Sequence, residues 1–419
     1  MMKKIFLWVA FFCFAGVCSA AESRAALLFY KQQADAFAGA SRSEERAYAR
    51  SLADNLGTWA LQNPTDANAP QVLFTQARLY LLAQDRPQAL ISLLKAYKMY
   101  PHAQFPSFQA QWEEALQAVA PAQRTTYAAQ LLSTRPTDQT TLPEREADVL
   151  YILSNLEGKN LYTPAAAAFE SFFQRYPSYG KNDQVELWYG DLHRTHGNYL
   201  AAISQYKKAA TLYPNTPYRA ASLRLTGDIY ADHLNDTTKA LEIYNQVLKE
   251  YPSSNEIGIV YKHMAVLEEN NKNYPAALTH YDKAIEHLGN TPSAYEAYRG
   301  KADVYKKMKD YEQAYTALQK TANAFIADEN KFVDPLLEAS QIAKKKLRDN
   351  VRYTQTLEKA LMVFPKAAQA PEIMYDLAQA YEEQGKTAQA IAMYKKLILT
   401  APSGKYASKA QGRILKLGK

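Results

Sequence analysis

The clearest pattern in the chain is helical. Between 183 and 213, apolar side chains fall at Val185, Leu187, Tyr189 and Leu192, then at Tyr199, Ala202, Ile203, Tyr206, Ala209, Ala210 and Tyr213. Gaps of three and four residues recur in the second run, which places its apolar groups along one side of an α-helix. The two runs are separated by His196-Gly197-Asn198, where Gly197 suits the left-handed backbone that stops a helix. Pro214 lacks a backbone N–H and ends the second run. The segment predicts two helices joined by a tight polar turn.

The same unit recurs. Tyr-Pro or Phe-Pro stands at Tyr100-Pro101, Tyr176-Pro177, Tyr213-Pro214, Tyr251-Pro252 and Phe364-Pro365, and Ala401-Pro402 continues the series. Pro177 to Pro214 spans 37 residues, Pro214 to Pro252 spans 38 and Pro365 to Pro402 spans 37. Within the 183–214 unit, Gly190, Ala202 and Ala209 are small enough for two helices to approach closely, and Tyr199 and Tyr206 fill the space between hairpins. This pattern resembles the tetratricopeptide repeat, with small residues at its eighth, twentieth and twenty-seventh positions, aromatics between them and a closing proline. The next unit supplies Gly227, Tyr230, Ala240, Tyr244 and Pro252, and the one after it Ala265, Tyr274, Ala277, Tyr281 and Ala284, with Gly289 in place of the proline. Ala302, Tyr305, Tyr311 and Ala314 follow, then Leu377, Ala378, Tyr381, Gly385, Ala390, Tyr394 and Pro402, and an early unit gives Ala77, Tyr80, Ala89, Ala96 and Pro101. The resemblance implies an all-α fold, a right-handed α-solenoid of stacked antiparallel helix hairpins.

The expected organisation has four parts. Residues 1–20 read as a signal peptide, 21–69 as an N-terminal helical hairpin that caps the stack, 70–402 as the repeat array with a degenerate hairpin at about 105–135, and 403–419 as a C-terminal capping helix. The leader has Lys3 and Lys4, an apolar run over 5–17, and small residues Ser19, Ala20 and Ala21 around the cleavage point after Ala20. That run is too short to span a bilayer, and no later stretch is apolar enough to do so. Both cysteines, Cys13 and Cys18, lie inside the leader, so the processed chain would contain no thiol. Ala15-Gly16-Val17 is a poor lipidation junction for Cys18. The expected location is the periplasm, with lipid anchoring disfavoured and peripheral membrane association left open.

Composition narrows the function. Hydrophobic residues at 47% and charged residues at 22% are ordinary for a chain with a sizeable core. The net charge of +7 falls to +5 once Lys3 and Lys4 are removed, and the charges are interspersed, so nucleic acid is not an expected partner. There is no glycine-rich phosphate loop, nucleophile elbow or paired-cysteine motif, and no enzyme, cofactor or metal site is expected. His193 with His196, and His280 with His287, are read as solvated helix positions. Adjacent glutamates at 113–114, 268–269 and 382–383 point apart on a helix and read as surface charge. Most of the 31 tyrosines fall at hairpin-packing positions, where the ring is buried and the hydroxyl reaches outward.

The repeat resemblance also implies a concave groove lined by the first helix of each pair. Its lining positions would read Gln184, Leu187, Asp191 and Arg194; then Ala221, Arg224, Asp228 and Ala231; then Ile259, Lys262, Val266 and Glu269; then Glu296, Arg299, Asp303 and Lys306. The partner-binding candidates are Asp191, Arg194, Arg224, Asp228, Lys262, Arg299, Asp303 and Lys306. One reading is a polar groove that takes a protein or peptide partner. The other makes Arg224–Asp228 and Arg299–Asp303 ion pairs within their own helices, worth about 0.3–0.5 kcal/mol each. The repeats around 172–178 and 213–221 are similar to those of periplasmic envelope proteins, namely the outer-membrane assembly lipoprotein and the Tol–Pal coordinator. That likeness implies an envelope scaffold. A glycan-handling adaptor is the alternative, with Trp59, Trp112 and Trp188 as its stacking candidates.

Overall fold

The computed structural model describes residues 25, 28–30, 32, 43–124, 139–213 and 215–418. The leader, the beginning of the 21–69 hairpin, much of the second half of the 105–135 hairpin and Pro214 lie outside them. The described residues are helical, with no strand among them. The chain forms two compact units, Met1–Ile229 and Tyr230–Lys419.

In the first unit, α1 (Ser43–Gln62) precedes a pair made of α2 (Ala69–Leu82) and α3 (Arg86–Met99). The short helix α4 (Phe108–Ala115) runs into a 3-10 turn at Leu116–Ala118. Two further pairs follow, α5 (Leu142–Asn155) with α6 (Tyr162–Arg175) and α7 (Asn182–Thr195) with α8 (Tyr199–Leu212). Helix α9 (Arg219–Asp232) carries the chain from the first unit into the second. There the pairs continue as α10 (Thr237–Glu250), α11 (Ile257–Asn270) with α12 (Tyr274–Leu288), α13 (Pro292–Lys307) with α14 (Tyr311–Ala324), α15 (Glu329–Ile342) with α16 (Asn350–Val363), and α17 (Ala370–Glu383) with α18 (Thr387–Thr400). Helix α19 (Lys405–Leu417) packs on α18 and α17. Most helices pack mainly on their neighbours in sequence, and first helices of adjacent pairs also touch, as α11 does α13; α5 packs more on α7 than on its own partner α6. Each unit folds as a helical-repeat solenoid of stacked helix pairs.

Helices α5 and α6 are joined by the segment 156–161, in which Leu161 donates to the Gly158 carbonyl (3.3 Å), whereas the turn inside seven of the described pairs is built the same way. A left-handed residue is followed by the residue before the second helix: Gln84–Asp85, Gly197–Asn198, Asn235–Asp236, Lys272–Asn273, Lys309–Asp310, Arg348–Asp349 and Gly385–Lys386. That second residue donates its N–H back to the last turn of the first helix, as Asp85 does to the Tyr80 carbonyl (2.8 Å), Asn198 to His193 (2.8 Å) and Lys386 to Tyr381 (2.8 Å). These are the six-to-one bonds that satisfy otherwise orphaned carbonyls at a helix end. Where the second residue is aspartate, its side chain also caps the next helix, accepting from Gln88, Lys239, Gln313 and Arg352.

The first unit has one continuous core, with Leu90, Leu93, Leu94, Trp112, Leu150, Phe169 and Phe172 fully or almost fully buried. In the second unit the core is a series of neighbouring clusters. Ala265, Ala277, Tyr281 and Ala284 join Ala297 and Val304; Ala302, Ala314 and Leu318 join Ala339 and Ile342; Phe332, Tyr353 and Leu357 lead on to Tyr394 and Leu397. Such nearest-neighbour packing makes each pair depend on the next one for burial.

Candidate protein-binding face

The predicted groove residues lie on the first helices of consecutive pairs, which pack side by side within each unit, and the side that carries them is the candidate face. In the second unit this face is cross-linked by ion pairs between pairs. Lys262 on α11 reaches Glu296 on α13 (2.6 Å), and Lys307 on α13 reaches back to Glu269 on α11 (2.8 Å). Glu269 also accepts from the Tyr281 hydroxyl on α12 (2.7 Å). Glu338 on α15 takes both Arg299 and Lys306 from α13, and Lys306 pairs with Asp303 as well. Burial pushes the Glu338 carboxyl upward, but the hydrogen bond from Lys306 and the charge of Arg299 hold it below its ordinary value. A cavity of about 310 Å³ opens beside Lys262, Val266 and Asn270, floored by Tyr244 and Tyr281.

In the first unit, Arg194 lies 3.4 Å from Asp191, which accepts the Tyr206 hydroxyl at 2.8 Å. Burial raises the Asp191 carboxyl above its ordinary value despite those partners. Arg224 and Asp228 form the expected pair within α9, with most of both side chains shielded.

The Arg299–Asp303 pair is a correction. Arg299 pairs with Glu338 and Asp303 with Lys306, because Glu338 presents two carboxylate oxygens to both cations from the adjacent pair. Glu338 and Lys307 are the groups that sequence reasoning missed. Counting back from Pro365 puts Glu338 at the fifth position, which Arg224, Lys262 and Arg299 hold in their own pairs.

Other expectations also change. His193 is buried between Tyr162 and Tyr189, with Nδ1 3.0 Å from the Tyr162 hydroxyl, and is not a solvated helix end. Burial lowers its pKa. His280 and His287 both stack on Tyr261; His280 is half-buried, whereas His287 stays exposed as expected. Glu269 and Glu382 are largely shielded, since each turns toward a cation, Lys307 and Arg413 respectively. Trp112 is buried against Phe108, so it offers no open stacking face. Several tyrosine hydroxyls end on carboxylates, as Tyr80 does on Asp54 (2.6 Å), Tyr189 on Glu170 (3.2 Å) and Tyr206 on Asp191. The Tyr381 hydroxyl, bonded to Glu358, is pushed up to about 12 by burial first and then by that carboxylate.

A tetratricopeptide-repeat sequence profile matches residues 155–217 and 190–255, and a second one matches 372–403. These stretches are similar to tetratricopeptide repeats. The repeat is typically a non-catalytic scaffold for protein–protein interaction. No curated protein matches the chain. Among solved structures, it is similar to a tetratricopeptide repeat protein from Parabacteroides merdae, at 19% identity over 66% of this chain and 98% of that one, with a TM-score of 0.35. It is also similar to the C-terminal part of a repeat-containing protein from Cytophaga hutchinsonii, at 16% identity over 64% and 98%, with a TM-score of 0.43. Among the described residues no helix is long and apolar enough to cross a membrane, and no group of acidic, histidine or cysteine side chains is placed to hold a metal.

Proposed function

We propose that this protein is a non-catalytic interaction scaffold of the bacterial cell envelope, exported to the periplasm by removal of residues 1–20. Its partner, a protein or peptide, binds the first-helix face of the repeats, in the manner of the envelope repeat proteins that the chain resembles. The observation that carries this reading is the second unit's face, where Lys262, Arg299, Asp303 and Lys306 form a charged ladder next to a cavity of about 310 Å³. Charge-assisted bonds at its edge would fix the orientation of a bound chain, and the aromatic floor would take a side chain.

Site-specific photocrosslinking in living cells tests it. A benzoylphenylalanine at Val266, which lines the cavity and is 41% exposed, should capture a discrete envelope protein. The same group at Leu399, on a second helix and 82% exposed, should not. Equal capture at both positions, or none at Val266, would overturn the reading. The export half is checked separately: intact mass should give an N-terminus at Ala21.

One observation favours the glycan-handling alternative. Tyr151 on α5 is 51% exposed and lies 5.1 Å from the ring of Trp188 on α7, so two aromatic groups meet on adjacent first helices. Co-sedimentation with purified sacculi that is lost in Tyr151→Ala would support this reading, and absence of co-sedimentation would end it.

A further inference from the structure

The first unit holds a second cavity, of about 240 Å³, between α1, α2, α3, α5 and α6. One wall is charged. Glu146 on α5 has no exposed side-chain surface and is gripped from two other helices. Arg175 on α6 donates Nη1 to Oε2 (2.7 Å) and Nη2 to Oε1 (2.5 Å), while Lys95 on α3 places Nζ 3.0 Å from Oε1. Two cations against one carboxylate leave a local charge of +1 on this largely buried wall, with Asp54 the only other charged group lining the cavity among the described residues, and a counter-charge placed directly on the two cations is favoured.

The guanidinium is largely committed. Besides Glu146, it reaches the Tyr176 hydroxyl (3.2 Å) and Ser171 Oγ (3.4 Å). The ammonium has three N–H bonds, one of which serves Glu146, and Lys95 lines the cavity. Close by, Ser92 donates to Gln76 (3.1 Å), so a hydroxyl and an amide border the same space. Asp54, which accepts the Tyr80 hydroxyl, is an exposed lining residue and brings the opposite charge. The volume lies below the ~300–1,000 Å³ typical of sites for drug-sized ligands, so the occupant is small.

We propose that this cavity binds a small monocarboxylate, its carboxylate seated on the Lys95 ammonium beside the Glu146–Arg175 pair. A single negative charge on Lys95 matches the local +1 of the Lys95–Glu146–Arg175 cluster. A dianion would overcompensate it and be repelled by Glu146 and Asp54. The site is independent of the first-helix face proposed above for a protein partner, and it lies wholly within the first unit.

The test uses the purified chain and three probes: N-acetylglycine, the neutral N-acetylglycinamide of nearly the same shape, and inorganic phosphate. Saturation-transfer NMR at millimolar concentrations reports contact, and calorimetry gives affinities. N-acetylglycine should bind at least about tenfold more tightly than the amide or phosphate, the scale of one charge-assisted bond. Lys95→Gln should lose about the same factor, while Arg175 still holds Glu146. Ala167→Phe provides a second variant, because Ala167 is exposed and lines the cavity: it should block binding with an unchanged unfolding midpoint. Lys301→Gln, in the other unit, should bind as the parent does. The proposal is overturned by absence of transfer to N-acetylglycine, by equal binding of acid and amide, by phosphate binding as tightly as the acid, or by undiminished affinity in Ala167→Phe.

Discussion

Gly190 and the ring of Tyr206 are in direct apposition: a Cβ at Gly190 would fall inside the van der Waals shell of Cε1 and Cδ1 of the tyrosine. The two residues join α7 to α8, and Tyr206 is fully buried with its hydroxyl on Asp191. Gly190→Ala therefore sets two effects against each other. Alanine gains about 1 kcal/mol of helix propensity. Overpacking a ring that is anchored at its hydroxyl costs about 1–3 kcal/mol. The ring has nowhere to go, so the variant should be net destabilised by roughly 1–2 kcal/mol. Gly412→Ala in α19 is the control, since a Cβ there meets nothing within 4 Å, and it should stabilise by about 0.5–1 kcal/mol. Thermal unfolding followed by far-UV circular dichroism distinguishes the two.

This contact was legible in the sequence because a small residue and an aromatic recur at fixed offsets, and those offsets set which helices nest. The helix pairs and the left-handed turn at Gly197 could be read for the same reason. What could not be read depends on partners supplied from another pair. Glu338 was missed because its helix, α15, departs from the repeat: Pro335 sits inside it, and a π-helical turn at Ala343–Leu347 lengthens the connection to α16. Likewise, nothing near His193 in sequence shows that Tyr162, on another helix, will cover it.

The intra-pair turns give a second prediction. Lys309 has φ +60° and Lys272 φ +63°, where Gly197 and Gly385 stand in two other pairs. A side chain in that region costs about 1–2 kcal/mol, partly offset by the larger entropy glycine loses on folding. Lys309→Gly should therefore stabilise by about 0.5–1 kcal/mol, and Gly385→Ala should destabilise by a similar amount. Equilibrium urea unfolding would read both, and a destabilised Lys309→Gly would show that the lysine side chain contributes more than its backbone conformation costs.

Glu146 and Glu186 are each the fifth residue of their helices, α5 and α7, and both are buried, yet they titrate in opposite senses. Burial pushes both carboxyls upward. Lys95 and Arg175 overcome this at Glu146 and hold it below the ordinary value of 4.5. At Glu186 the hydrogen bond and charge of Lys208, at 2.8 Å, are not enough, and the carboxyl stays raised. A depressed carboxyl adds stability that is present above its unfolded pKa and is lost as pH falls through the folded one. A raised carboxyl does the reverse, adding stability at low pH that is lost as pH rises through the folded value. Glu146→Gln should therefore cost about 3–5 kcal/mol at neutral pH, since it leaves two buried cations, and much less well below pH 4.5. Glu186→Gln should be least harmful, or stabilising, at neutral pH. Unfolding midpoints of the two variants measured from pH 3 to pH 8 check the crossing.

Arg299 and Glu338 decide how far the charged ladder is structural. Their side chains are 28% and 27% exposed, and Lys306 shares the same carboxylate. An isolated exposed pair is worth little, but a carboxylate taking two cations from the adjacent helix pair belongs to a small network. A double-mutant cycle with Arg299→Ala and Glu338→Ala should give a coupling of about 0.5–1 kcal/mol that shrinks as salt is raised. Arg224 and Asp228, four residues apart on one helix, should give about 0.3–0.5 kcal/mol in the same experiment. The comparison bears on binding as well as folding. If the coupling is this small, a partner's acidic group can take Arg299 from Glu338 at low cost, and Arg299→Glu will weaken capture at the Val266 crosslinking site with little loss of stability. A coupling of several kcal/mol would make Arg299 a fixed brace between α13 and α15, and capture would then survive only in variants that leave Arg299 in place.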